Sequence, residues 1–358
     1  MNNSQTEPRV KRETKNTIKV EFDRTPFWQR MKAKFITKNF LTKVIWTIFR
    51  YVILIGISYV ILFPFFTKIS SSFMGPEDFV DATVKLIPKN FTLETYKYIF
   101  LDNKYMQAVG NTALLSISAA LLQTFVCAMI GYGLAKFKFK GNKILFLLVI
   151  FSMIIPHQTL QLSLFMKFRY FDVLGIIQLL GGGSRWFPQL NITGGVTSIN
   201  LTNTYIPLAL LSATGLAFKN GLYIFMMRQF YRGVPNELEE SAYIDGSGIF
   251  KTFIKIILPL SIPMMITIFL FAFSWQWTDT FYTSLFFTRT SMVLMKNVIA
   301  IPESLKEGMT KYAAGQSMYQ AAIRNTCGLM IIAPLVVIYL FCQRYLIQGI
   351  ERSGMTAD

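Results

Sequence analysis

The sequence predicts an all-α integral membrane protein with six transmembrane helices and both termini cytosolic. Three observations carry that prediction. Hydrophobic side chains make up 53% of the 358 residues and the mean hydropathy is +0.41, too apolar for an ordinary soluble domain. Apolar runs of about 20 residues recur along the chain, each long enough to cross a bilayer. The segments between them alternate between basic and charge-balanced, as the Lys/Arg excess of cytoplasmic loops requires.

The elements follow in order. Residues 1–44 form a basic cytosolic tail, with 11 Lys/Arg against 4 acids and a helical end expected around Trp28–Phe40. A cleaved signal peptide is not expected, because the charged region is long and the apolar run after it spans a bilayer. Ile45–Phe66 is the first span. Thr67–Lys104 is polar and balanced in charge, so it reads as external. The second span starts near Gln107, runs through Asn111–Leu134 and ends at Lys136, Lys138, Lys140 and Lys143, an inside loop. The third, Ile144–Phe165, contains Pro156 and should kink there. Lys167–Thr204 is external; its Asn-X-Ser/Thr matches at Asn191 and Asn200 read as chance. The fourth span, Tyr205–Phe230, ends inside at Arg228 and Arg232. Ile262–Phe287 is the fifth span, Thr288–Arg324 is external, and Asn325–Leu346 is the sixth. The membrane domain is thus 45–346, with a cytosolic tail at 347–358.

Composition also removes several functions. The net charge of +17 invites nucleic-acid binding, but the basic residues sit beside spans, where topology and anionic headgroups account for them. Cys127, Cys327 and Cys342 all lie in apolar runs, which suggests neither a disulfide framework nor zinc. The single histidine, His157, leaves no metal cluster and no Ser-His-Asp arrangement; beside Pro156 it reads as a kink residue rather than a proton relay. No Gly-rich phosphate loop ending in Gly-Lys-Ser/Thr is present, so any ATP that drives this chain is hydrolysed on another.

One polar stretch, 234–259, interrupts the apolar pattern. Pro235 suits a first helical turn. Glu237, Glu239 and Glu240 follow where the helix dipole favours anions, while Leu238 and Ala242 share a face with Ser241. Gly246 should end the helix in the left-handed conformation. A second amphipathic set, Phe250, Phe253, Ile254 and Ile257, runs to the break at Pro259. The loop lacks a positive excess, against the usual inside rule, so its acids should have a specific use. A short acidic helix with a small-residue shoulder suits a partner's groove.

Glu240-Ser241-Ala242-Tyr243-Ile244-Asp245-Gly246, then nine residues and Ile256-Ile257-Leu258-Pro259, resembles the EAA loop of permease subunits of bacterial ABC importers. The departure is Ser241 for the first Ala, one small residue for another. Further matches are to the carbohydrate-uptake (maltose/multiple-sugar) branch: Asn111-Thr112, Gly131-Tyr132-Gly133-Leu134-Ala135-Lys136-Phe137, Met153-Ile154-Ile155-Pro156, Met227-Arg228-Gln229-Phe230-Tyr231, Trp275-Gln276-Trp277-Thr278-Asp279, and Gln343-Arg344-Tyr345 with Gly349. The resemblance covers roughly Gln107 to Gly349.

This resemblance implies the type I ABC-importer permease fold in a bacterial cell membrane. It further implies two ATPase subunits that bind the ATP and Mg, a second and non-identical permease, an extracellular solute-binding protein and a sugar substrate. The chain is then no enzyme and carries no cofactor of its own. Coupling would run through Glu237, Glu240, Ser241, Ala242, Asp245, Gly246 and Pro259. Glu240 is the candidate ion-pair partner of the ATPase, with Ala242 and Gly246 permitting close approach.

For the substrate path the residues themselves point to two clusters. Lys219, nine residues before Arg228, lies about 13 Å up a continuous helix, near the bilayer midplane, where a charge is costly and generally faces water. Asn220 adjoins it, and Gly221 could allow a local break. Trp275, Gln276, Trp277 and Asp279 combine aromatic faces for sugar rings with polar groups for hydroxyls, although aromatic clusters also serve packing and membrane belts. The rival reading, an ion-coupled secondary transporter, would need intramembrane acids and paired inverted repeats; Asp279 is the one clear in-span acid.

Overall fold

A computed structural model describes residues 10–11, 19–20, 38–181, 197–289 and 292–354. Asn191 and the tail's expected helix before residue 38 lie outside them. The chain divides into two compact units, Met1–Thr67 and Lys68–Asp358. The first holds a two-residue antiparallel pairing, Val10–Lys11 with Lys19–Val20, and most of helix α1 (Lys38–Ser71). At 1.5 Å per residue α1 is about 50 Å long. Trp46, Phe49, Val52, Ile55 and Tyr59 are all exposed, so apolar side chains cover every side. A helix apolar all round with bare flanks is built for lipid.

The regular structure among the described residues of the second unit is helical, apart from isolated bridges. It comprises α2 (Glu94–Asp102), α3 (Tyr105–Lys136), α4 (Asn142–Ile154), α5 (Gln161–Arg169), α6 (Ile206–Ala213), α7 (Asn220–Arg232), α8 (Glu237–Ile244), α9 (Ile262–Trp277), α10 (Phe281–Phe286) and α11 (Gln316–Gly354), among shorter turns. The organising element is α3. Its buried face carries Ala108, Thr112, Ser116, Ala119, Ala120, Thr124, Cys127, Ala128 and Gly131, small residues at helical spacing that let other backbones come close. Gly131 is where this matters most: a Cβ there would lie 2.6 Å from the Met227 Cβ of α7. Helices α6, α7 and α9 pack on α3, and α11 packs on α9. Between them lies a core of Tyr132, Tyr223, Met227, Tyr231, Ile257, Met264, Ile268, Phe273 and Cys327. The thiols of Cys127 and Cys327 are thus buried, as expected of small hydrophobes.

Several expected spans differ from the structure. Ile144–Phe165 is not one kinked helix: α4 ends before Pro156, a short turn covers His157–Leu160, and the chain bends by 94° into α5. Proline removes the donor and restricts the residue before it, so the chain leaves the helix altogether. Tyr205–Phe230 is also broken, into α6 and α7. The break is at 214–219, with Gly215 and Lys219 at positive φ, rather than at Gly221. Gly221 instead serves packing, since a Cβ there would meet Ser152 Oγ at 2.7 Å on α4. The expected fifth span stops at Trp277, and α10 follows as a separate helix. Among the described residues, three helices are long and apolar enough to cross a membrane, or up to five if each bent pair counts as one span.

The polar stretch after α1 is an ordered cap rather than a plain loop. Asp78 is buried and receives the backbone N–H groups of Lys89 and Asn90 (both 3.1 Å) and the Asn90 amide (2.8 Å). Asp81, in the same cap, accepts from the hydroxyl and amide of Thr83 and pairs with Lys89, which hold its carboxyl well below the usual range. In the other long loop Asn200 accepts from the amide and hydroxyl of Thr202, a local turn.

Candidate functional site

Two sites emerge. The first is the loop between α7 and α9. Pro235 precedes the N-cap Asn236 instead of occupying the first helical turn, and Glu237, Glu239 and Glu240 fill that turn as expected. The C-terminus closes as predicted: Gly246 takes φ 77°, its N–H donates to Tyr243 (3.0 Å), and Ser247 N–H donates to Ala242 (2.9 Å). These two bonds form a Schellman motif.

The three glutamates part company at this point. Glu237 and Glu240 are exposed, whereas Glu239 is buried. The Tyr132 hydroxyl donates to Glu239 Oε1 at 2.5 Å, and Lys136 Nζ lies 3.4 Å from Oε2, with side-chain exposures of only 7% for Lys136 and 9% for Glu239. Lys136 also donates to the Val234 carbonyl (2.6 Å) and Asn236 Oδ1 (2.7 Å). Tyr132 packs on Phe253 at 4.7 Å and edge-on to Tyr231 at 5.6 Å. The last turn of α3 therefore clamps α8 and the chain entering it. A buried pair whose charges are all hydrogen-bonded holds its geometry, and removing one member costs about 3–5 kcal/mol.

Of the predicted coupling residues, Glu237, Glu240, Ser241, Asp245 and Gly246 lie at the surface of the loop. Ala242 does not: it faces inward and is buried, so it packs α8 down instead of admitting a partner. The second amphipathic set is split. Phe253 and Ile257 are buried in a π-helical segment (Phe253–Ile257), but Phe250 and Ile254 are exposed. With Tyr243, Ile249 and Ile244 (86% exposed) they form a bare apolar shoulder beside the acids. Pro259 sits just before Ser261, where the chain turns 75° into α9; the Tyr231 and Ser261 hydroxyls meet there at 3.1 Å.

The second site is an open cavity of about 210 Å³ bordered by α3, α9, α10 and the breaks after α4 and α6. Gln123, His157, Phe218, Trp275, Gln276 and Asp279 are on its walls. An adjoining cavity shares His157, Gln158, Ala217 and Phe218 and adds Lys219. Lys219 caps α7 at φ 72°, a conformation that costs a non-glycine residue on the order of 1–3 kcal/mol. Its ammonium lies over the rings of Phe218 (4.5 Å) and Trp275 (4.6 Å). His157 meets Phe218 edge-on at 4.2 Å.

Four of the six predicted path residues thus border these cavities: Lys219, Trp275, Gln276 and Asp279. The other two do not. Asn220 is fully buried in the helix packing, off both cavity walls. Trp277 is 3% exposed and donates its indole N–H to the Ile331 carbonyl at 2.9 Å, tying α9 to α11. Trp275, Gln276 and Trp277 are consecutive on the helix, each turned about 100° from the last, so the three cannot share one face. Asp279 commits both oxygens to the first turn of α10, accepting from Tyr282 N (3.2 Å) and Thr283 N (2.7 Å).

Sequence reasoning missed Glu239 as an anchor and missed Gln123, His157, Gln158 and Phe218 as wall residues. The break at Pro156 was the available signal for two of them, because a polar Pro-His-Gln-Thr run in an apolar stretch marks unwound backbone that lines a cavity. The Glu239 clamp had no signal, since its partner Tyr132 is 107 positions away.

The family model described as "Binding-protein-dependent transport system inner membrane component" matches residues 127–352. A polygalacturonan/rhamnogalacturonan transport system permease protein of Bacillus subtilis (strain 168) is 25% identical over 304 residues, covering 84% of this chain and 94% of that protein. An arabinooligosaccharides transport system permease protein of Halalkalibacterium halodurans is 28% identical over 303 residues, covering 84% and 92%. One chain of a crystal structure of a bacterial ABC transporter involved in the import of the acidic polysaccharide alginate superposes with a TM-score of 0.61 at 16% identity, covering 90% of this chain and 99% of that one. That likeness is one of fold.

Proposed function

We propose a function from the family to which this chain belongs, the binding-protein-dependent transport system inner membrane components: it is the membrane-spanning permease of an ATP-driven importer of a sugar or oligosaccharide. The sugar class rests on the relatives, which are polygalacturonan/rhamnogalacturonan and arabinooligosaccharides transport system permease proteins. ATP and Mg bind on two separate ATPase subunits, and a second, non-identical permease completes the path. An extracellular solute-binding protein delivers the substrate. The chain sits in the bacterial cell membrane with a basic tail over 1–44, a membrane domain over 45–346 and a short tail after it. Its six crossings are the three long helices, the two bent pairs, and α6 with α7 as a third broken span. Lysine and arginine positions support cytosolic termini.

The observation that carries the coupling role is the division of the glutamates on α8. One is locked to α3, so a push on α8 is transmitted into the membrane domain. The others stay outward beside a bare apolar shoulder, a surface suited to a basic, partly apolar groove on the ATPase. Glu237, Glu240, Ser241, Asp245 and Gly246 form the docking face, and Pro259 sets the turn into α9. Lys219, Trp275, Gln276 and Asp279 border the substrate path. The ion-coupled alternative has less to stand on, because Asp279 is already engaged by backbone amides.

Gentle solubilisation followed by pull-down tests this. The ATPase co-purifies with the wild-type chain and is lost with Glu240→Lys, whose fold should persist because the side chain is exposed. A chain that purifies without any ATPase in both samples would refute the reading.

A further inference from the structure

We propose that the cavity beside Lys219 binds the carboxylate of an acidic sugar, so that this permease favours uronate-containing oligosaccharides over neutral ones. The inference rests on the reading above that the cavity belongs to the substrate path.

Charge comes first. Three ion pairs are formed among the described residues, and none includes Lys219. The carboxylate on the cavity wall, Asp279, is turned to the α10 amides, and Lys296 is near enough to feel its charge. Lys219 also stands at the N-terminus of the 13-residue helix α7, whose dipole adds positive potential there. The cavity that Lys219 lines therefore holds a cation with no carboxylate among its own lining residues, and it adjoins the cavity bordered by Asp279.

Position comes second. The chain around Lys219 is fixed by turn hydrogen bonds: Ala217 N–H to Leu211 (2.9 Å), Asn220 N–H to Ala217 (3.0 Å) and Tyr223 N–H to Lys219 (3.1 Å). Its backbone is held where a lysine is unfavourable, while its ammonium rests on two aromatic faces. A charge-assisted hydrogen bond to a carboxylate is stronger than such a contact. An arriving uronate therefore draws the ammonium off the rings and frees the face of Trp275, which is already 51% exposed, to stack on the sugar.

A third observation is independent of both. Gln276 is 7% exposed and lines the adjoining cavity, which shares His157, Gln158, Ala217 and Phe218 with the one at Lys219, yet its Nε2 has no hydrogen-bond partner among the described residues. A buried donor left unpaired is costly, and a carboxylate or hydroxyl oxygen in the cavity would satisfy it. Gln123 and Gln158 supply further amides for hydroxyls on the same walls.

The test uses the assembled transporter in detergent, without binding protein, titrated with trigalacturonate and with its neutral methyl ester. Wild type should bind the acid more tightly than the ester, with added salt weakening the acid alone. Lys219→Gln should weaken trigalacturonate by about tenfold or more and leave the ester unchanged, while Lys219→Arg keeps most of the preference. Equal affinities in the wild type, or a Lys219→Gln loss that is the same for both sugars, would overturn the proposal while leaving a neutral-sugar importer intact. Binding of neither sugar by a complex that retains its ATPase would overturn the proposal and the sugar reading together, but not the coupling role.

Discussion

The clamp at α8 and the cavity at Lys219 each hold a lysine, and they treat it in opposite ways. Lys136 has its charge answered from three sides, by Glu239, the Val234 carbonyl and Asn236. Lys219 has π faces and no carboxylate in reach among the described residues. A fully answered buried charge fixes one geometry, which suits an element that must transmit force. A partly answered charge beside a cavity leaves attraction for something that comes and goes. The pairing state of each lysine, rather than its position in the sequence, separates machinery from ligand site.

The largest effect should come from breaking the answered pair. Lys136→Met leaves the Glu239 carboxylate buried without its cation, at a cost of about 3–5 kcal/mol to the seating of α8. In proteoliposomes this should appear as ATP hydrolysis persisting with little transport, while Lys136→Arg retains coupling. Equal transport per ATP in Lys136→Met and wild type would show that the clamp transmits nothing. A smaller effect is expected where α3 meets α7. Gly131→Ala places a methyl 2.6 Å from Met227 Cβ and should lower stability by about 1–3 kcal/mol through overpacking. A thermal melt of the purified chain checks it, and an unchanged midpoint would mean the two helices are not held as close as they stand here.

How much of this was legible beforehand depended on the range of the interaction. The acidic first turn of α8 and its glycine stop were readable, because caps and dipoles act over one turn of chain. The membrane class and the polar loop were readable from composition and patterning. The breaks were not read correctly. Pro156 signalled a kink, but a 94° bend depends on what α5 packs against. The α6–α7 break was expected at Gly221, whereas that glycine is needed for contact with α4 and the turn falls at Gly215 and Lys219. Burial decided the rest. Nothing local distinguishes Glu239 from Glu240, or Trp277 from Trp275; each pair differs only in which helix the residue meets, over separations of 107 and 54 positions.

The smallest predicted effect bears on that last distinction. Trp277→Phe keeps the aromatic bulk against Phe273, whose ring is 5.5 Å away, and loses the indole bond to the Ile331 carbonyl. The cost should be about 1 kcal/mol, the net worth of one such bond. It should show as a slightly lower melting point with sugar affinity unchanged. Trp275→Phe is the matched control: its ring lines the cavity and makes no hydrogen bond to α11, so affinity should fall while the melting point holds. If Trp277→Phe instead changes the sugar affinity and spares stability, the α9 cluster faces the path as one unit. The separation of wall from packing would then fail at the residue where sequence and structure disagree most directly.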